Sequence, residues 1–217
     1  MNQSIGNLKK PSLFGMITNP MKQFERIKER STIWLPFIIV LILLSLSNHL
    51  EKSKFIELLN VDVDAYRYMI LFFRTLLYSA IFFVIWALVM WLIAKIGEGK
   101  TNFSTMFSLS IYVSFVVVIS KFILSIIFYL TGSLEMLSLT SLNGYISVDQ
   151  PIQSVLGMID IFYIWTFILI AFGLQKIAGV SKRVSWIGVA VLFALLLLCG
   201  YLLGMFILML ENSISKM

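Results

Sequence analysis

Five long apolar segments, at roughly 33–50, 70–96, 104–130, 160–178 and 184–210, limit what this chain can fold into more than any other feature. Each is close to the ~20 mainly apolar residues needed to cross a bilayer core. A lone segment in lipid has to satisfy its own backbone groups, and the alternating pattern of a barrel strand is absent, so all five are expected to be helices. At 59% apolar and 13% charged residues, the chain also carries more apolar surface than one soluble core hides. The expected fold is therefore all-α: a polytopic membrane protein with five transmembrane helices in one bundle. Residues 1–32 form an amino-terminal segment, 33–210 the membrane domain and 211–217 a tail. The first apolar run begins near Ile33, too late for a secretory signal, and no small-residue cleavage site follows it, so it is expected to be retained.

Charge orients the bundle. One side carries eleven bases, Lys9, Lys10, Lys22, Arg26, Lys28, Arg30, Lys95, Lys100, Lys176, Lys182 and Arg183, against Glu25, Glu29 and Glu98. The other carries four bases, Lys52, Lys54, Arg67 and Lys216, against eight acids, Glu51, Glu57, Asp62, Asp64, Glu135, Asp149, Asp160 and Glu211. The basic side is expected in the cytoplasm, which puts the amino terminus inside and the carboxyl terminus outside a cell membrane, a bacterial plasma membrane on this reading. Trp34, Trp91 and Trp186 fall at the same ends, where amphipathic rings prefer the headgroup layer. The net charge of +6 is thus spent on orientation, and no nucleic-acid footprint is left.

The amino-terminal stub has helical grammar. Asn19 can cap, Pro20 suits the first helical position, and Met21, Phe24 and Ile27 recur every third residue, with Lys22, Arg26 and Lys28 beside them. An amphipathic helix lying at the cytoplasmic interface, with Phe24 and Ile27 in lipid and Arg26 and Lys28 on anionic headgroups, is one reading. A helix that serves only as an orientation signal is the other, and the residues leave both open. The loop Ala94 to Thr101, with its GEGKT run, looks like part of a phosphate-binding loop. However, it lies between two spans and has Ala94 where glycine is required, so a turn is favoured.

Three ionisable residues fall in or at the edge of spans: Arg74, Lys121 and Asp160. Counting along the helices puts them at similar outer depth, and we expect a polar cluster in which Asp160 neutralises Lys121 with Arg74 nearby. Snorkelling of Lys121 to the headgroups is the alternative. In the last span Gly200 and Gly204 form a G-x-x-x-G pair, with Ala190 and Ala194 at the same spacing earlier. Packing within the chain is favoured over dimerisation, though a homo-oligomer stays open. Pro151 opens a short helix expected to feed the fourth span.

The layout resembles the Yip family of five-span membrane proteins. The resemblance rests on Asn19-Pro20 with Phe24 and Ile27, Trp34 and Pro36, then Gly97, Gly99-Lys100 and Phe103. It continues through Ile164-Trp165, Leu169, Gly173, Gly179 and Ser181-Lys182, and so covers nearly the whole chain. It implies five helices, a cytoplasmic amino terminus and an outer carboxyl terminus. Eukaryotic members act with Rab-type GTPases in vesicle trafficking, but their amino-terminal signature is missing here. Bacterial members resemble accessory membrane subunits, some associated with ABC-type export systems.

One cysteine, Cys199, and one histidine, His49, build neither a disulfide framework nor a zinc cluster, and no nucleophile–base pair or carboxylate pair lies within the spans. The chain is expected to be non-enzymatic, with no cofactor. Its expected role is an accessory or scaffold protein that contacts the lipid bilayer and another membrane protein, with an ABC exporter complex as the expected partner. The alternative is a small transporter or channel with a polar outer-leaflet site at Lys121 and Asp160.

Overall fold

A computed structural model describes residues 9–60 and 64–214. Residues 1–8, 61–63 and 215–217, which include Asp62, Lys216 and the end of the expected tail, lie outside the described residues. Among the described residues there is no strand, and there are eight α-helices. Two precede the bundle, α1 (Leu13–Thr18) and α2 (Pro20–Glu29). The five spanning helices are α3 (Trp34–Leu58), α4 (Ala65–Ile96), α5 (Phe103–Thr131), α7 (Ile161–Ala178) and α8 (Lys182–Ile214). The loop before α7 holds two single 3-10 turns, Leu134–Ser138 and Leu142–Gly144, and a short helix α6 (Ile152–Met158).

Local chemistry sets the ends. Asn19, Asp64, Asn102 and Asp160 each accept backbone N–H groups of the first turn that follows, and Pro20 occupies the first position of α2. α5 and α7 stop at Gly132 and Gly179, both in the left-handed region that disfavours a Cβ. The GEGKT loop is a turn whose amides are spent: Gly99 N–H donates to Ala94 O (2.7 Å) and Lys100 N–H to Ala178 O (2.8 Å). The second bond ties the two turns at the basic end to each other.

α5 is the hub, packed on α3, α4 and α7, and it runs parallel to α3. Contacts between the two recur at a nearly constant offset along their length. Ser108 Oγ donates to Thr32 O (3.2 Å), Lys121 to Asn48, and Ser125 to Glu51, while the Phe55 and Phe128 rings lie 5.1 Å apart. In their most apolar stretches α5 and α7 are 44% and 50% buried, against 22% for α4 and 17% for α8. The outward faces of α4 and α8 are therefore left to lipid or to a partner.

The amino-terminal helices correct one expectation. Phe24 and Ile27 do not lie in lipid: both are 0% exposed, in the core with Met16, Met90, Leu109, Leu174 and Ile177. Only residues 30–33 separate α2 from α3, so α2 has to fold back under the bundle, where it packs on α5 and α7. The buried Tyr112 of α5 holds both flanks of the hairpin, since its hydroxyl donates to Pro11 O (3.1 Å) and shares a hydrogen bond with Thr32 (2.7 Å). Gln23, also buried, accepts from Ser12 N–H (2.9 Å) and Arg26 (3.4 Å). Lys28 and Arg30 stay exposed, and the apolar residues left outside are Phe14, Ile17 and Met21.

Candidate functional site

A polar cavity of about 260 Å³ lies between α3, α5, α7 and the loop that precedes α7. Its charged lining is Glu51, Lys121 and Asp160, its hydroxyl lining Ser120, Thr140, Ser141 and Tyr163, and Val117, Leu124, Leu137, Gly157 and Phe162 complete the wall. Glu51 and Lys121 meet because α3 and α5 run in parallel. They stand 17 and 18 residues from their helix starts, or about 26 and 27 Å along the axes at 1.5 Å per residue.

Lys121 and Asp160 thus share one cavity, but they do not form the expected pair. Lys121 Nζ donates to Asn48 Oδ1 (3.0 Å) and lies 3.9 Å from Glu51 Oε2. Glu51 Oε1 accepts from Ser125 Oγ (2.6 Å). Asp160 is spent on structure: Oδ1 accepts the N–H groups of Phe162 (2.7 Å) and Tyr163 (3.2 Å), and Oδ2 the hydroxyl of Thr140. A bridge between Ser141 and Asp160, closed by Ile161 N–H donating to Thr140 O and Leu142 N–H to Ile159 O, staples the loop to the start of α7. Arg74 is exposed on α4 and is not part of the cavity wall.

Glu51, Asn48 and Ser125 are the functional candidates that the sequence reading missed. The apolar run of the first span stops near Leu50, which put Glu51 in an outer loop, whereas α3 continues unbroken to Leu58. Counting depth from the start of α3, rather than stopping at the first charge, would have found the pair.

Of the small residues in α8, Gly200 and Gly204 face α6. A Cβ on Gly200 would meet Ser154 O at 3.2 Å and Val155 Cα at 3.4 Å, and one on Gly204 would come 2.6 Å from Pro151 Cα. This seats the loop helix, which starts just after Pro151 and feeds α7 through the break at Ile159–Asp160. Ala190 and Ala194 are exposed and do not join that contact.

Five apolar helices and a half-buried polar cavity at one end define a multi-pass membrane protein with an internal polar site. A family model described as the Yip1 domain matches residues 14–204, and the chain belongs to that family. It is also 35% identical over 212 residues to Membrane protein YknW of Bacillus subtilis (strain 168), a match that covers 90% of this chain and 91% of that one. No solved structure matches it.

Proposed function

We propose that this Yip1-domain protein is a non-enzymatic accessory subunit, an auxiliary component of an ABC-type export system, with its basic end in the cytoplasm. The observation that carries the reading is the closed basic end. Met16, Phe24 and Ile27 are buried without exposure beneath α5 and α7, so the cavity at the opposite end has a packed floor rather than a continuation. A closed bundle offers no conduit of its own, and the long apolar faces that α4 and α8 leave uncovered are open to lipid or to the helices of another membrane complex. The exposed Ala190 and Ala194 add a place on α8 where a second helix can approach closely.

The test is affinity purification of the full chain from native membranes in mild detergent, with identification of the co-purifying subunits. Recovery with an ATPase-bearing membrane complex is the expected result, and recovery alone refutes the reading. A second reading, solute movement by the chain itself, draws on the cavity that reaches Lys121. Transport by the purified chain alone in liposomes would establish it in place of the accessory role.

A further inference from the structure

The cavity has unspent hydrogen-bonding capacity of both signs. Asp160 has donors on both oxygens, and Glu51 Oε1 is taken by Ser125. Glu51 Oε2, in contrast, sees its nearest cation among the described residues at 3.9 Å, beyond hydrogen-bond reach. The Lys121 ammonium carries three donors, of which Asn48 takes one at 3.0 Å. An acceptor with charge to spare and a donor with charge to spare therefore flank the same space. A ligand that is only an anion meets repulsion from Glu51 and Asp160, and one that is only a cation meets Lys121. A ligand carrying both charges meets each with its opposite.

Depth points to where such a ligand comes from. α7 starts beside the cavity at Asp160 and has 18 residues, about 27 Å of helix, against a hydrocarbon core of about 30 Å. The cavity mouth is then level with the headgroup boundary of the leaflet at the acidic end. At about 260 Å³ it has room for far more than one water, whose share of liquid volume is about 30 Å³.

We propose that this cavity binds a zwitterion made of a primary ammonium and a phosphate, with the phosphate on Lys121 and the ammonium on Glu51, supplied by the headgroup of phosphatidylethanolamine. Binding there needs no partner complex, so the site stands apart from the accessory role. The test uses the full chain in nanodiscs containing equal phosphatidylethanolamine and phosphatidylglycerol, followed by delipidation in detergent and native mass spectrometry of the lipid retained. Phosphatidylethanolamine is expected to be retained in preference to phosphatidylglycerol. Glu51→Gln and Lys121→Met are each expected to lower that retention about tenfold or more, the worth of one charge-assisted hydrogen bond, and Lys121→Arg to preserve it. Glu51→Gln keeps the side-chain shape and the Ser125 contact, so it decides the matter if Lys121→Met does not fold. A second arm titrates soluble glycerophosphoethanolamine into protein held in phosphatidylglycerol alone. Binding in that arm without lipid retention, lost in the same variants, keeps the zwitterion site and makes its ligand a solute. Equal retention of both lipids with no binding of the soluble probe, or variants that bind like the parent, overturns the proposal and leaves a water-filled cavity.

Discussion

Phe24→Ala is the most informative single change, because it separates a helix packed inside protein from one lying in lipid. The ring is 0% exposed and shares a core with Met16, Met90, Leu109, Leu174 and Ile177, so truncation removes a fully buried side chain and leaves a void between packed helices. Loss of the transfer term of ~1.5–3 kcal/mol and addition of a cavity term bring the cost to about 3–5 kcal/mol. The upper part of that range is expected, since α2 is held at both flanks through Tyr112 and cannot settle freely into the void. Equilibrium unfolding in mixed micelles, followed by near-UV circular dichroism, measures the change. Lys28→Ala on the exposed face is the control and is expected within about 0.5 kcal/mol of the parent. If Phe24→Ala unfolded like the parent and lost only vesicle affinity, α2 would be a lipid-bound helix and the reasoning would fail. Phe24→Ser and Ile27→Ser, at fully buried positions, would likewise report on folding before they reported on any partner.

Three further changes test other joints. Tyr112→Phe leaves Pro11 O and Thr32 without their shared partner and is expected to cost about 1–3 kcal/mol; limited proteolysis should then cut between α2 and α3 sooner. Gly204→Ala drives a Cβ to 2.6 Å from Pro151 Cα, backbone that cannot swing aside, and is expected to cost about 1–3 kcal/mol and raise proteolytic cutting in the loop around α6. Asp160→Ala removes the α7 cap and the Thr140 staple together, with an expected loss of about 0.5–2 kcal/mol from the cap alone and faster amide exchange at Phe162 and Tyr163.

The five helices were legible because each is long and apolar, and the start of α2 was legible because Asn19 and Pro20 obey local capping chemistry. What could not be read locally was what each face would meet. Met21, Phe24 and Ile27 have the spacing of an interfacial helix, and nothing in that spacing separates burial against lipid from burial against α5 and α7. The four-residue link to α3 decides between them, and its effect is a matter of tertiary geometry. The site was half legible for a similar reason. Lys121 and Asp160 were found as costly charges, but Asp160 stands at a helix start, where backbone N–H groups compete for its carboxylate and win. Glu51 was hidden because hydropathy falls where Glu51, Lys52 and Lys54 enter the helix, although the helix itself does not stop.

The cavity and the closed floor share one cause, the asymmetry of α5. Toward its basic end it offers Met106, Leu109, Tyr112 and Val113, all fully buried, and the amino-terminal hairpin and α7 close over that stretch. From Ser120 onward it offers Lys121, Leu124 and Ser125 instead, facing Asn48 and Glu51 of the parallel α3. There α7 has only begun, at Asp160, so its wall is replaced by the loop that Thr140 and Ser141 staple in place. A helix of 18 residues beside one of 29 leaves the longer one uncovered over its last turns, and the polar lining begins where that cover ends. Lengthening α7 by a turn of apolar residues ahead of Asp160 should therefore fill the cavity without disturbing the floor. Loss of lipid retention with a stability loss no larger than the about 0.5–2 kcal/mol of the displaced Asp160 cap would fit that division, whereas a collapse of the whole fold would show that the two halves of α5 are one cooperative unit.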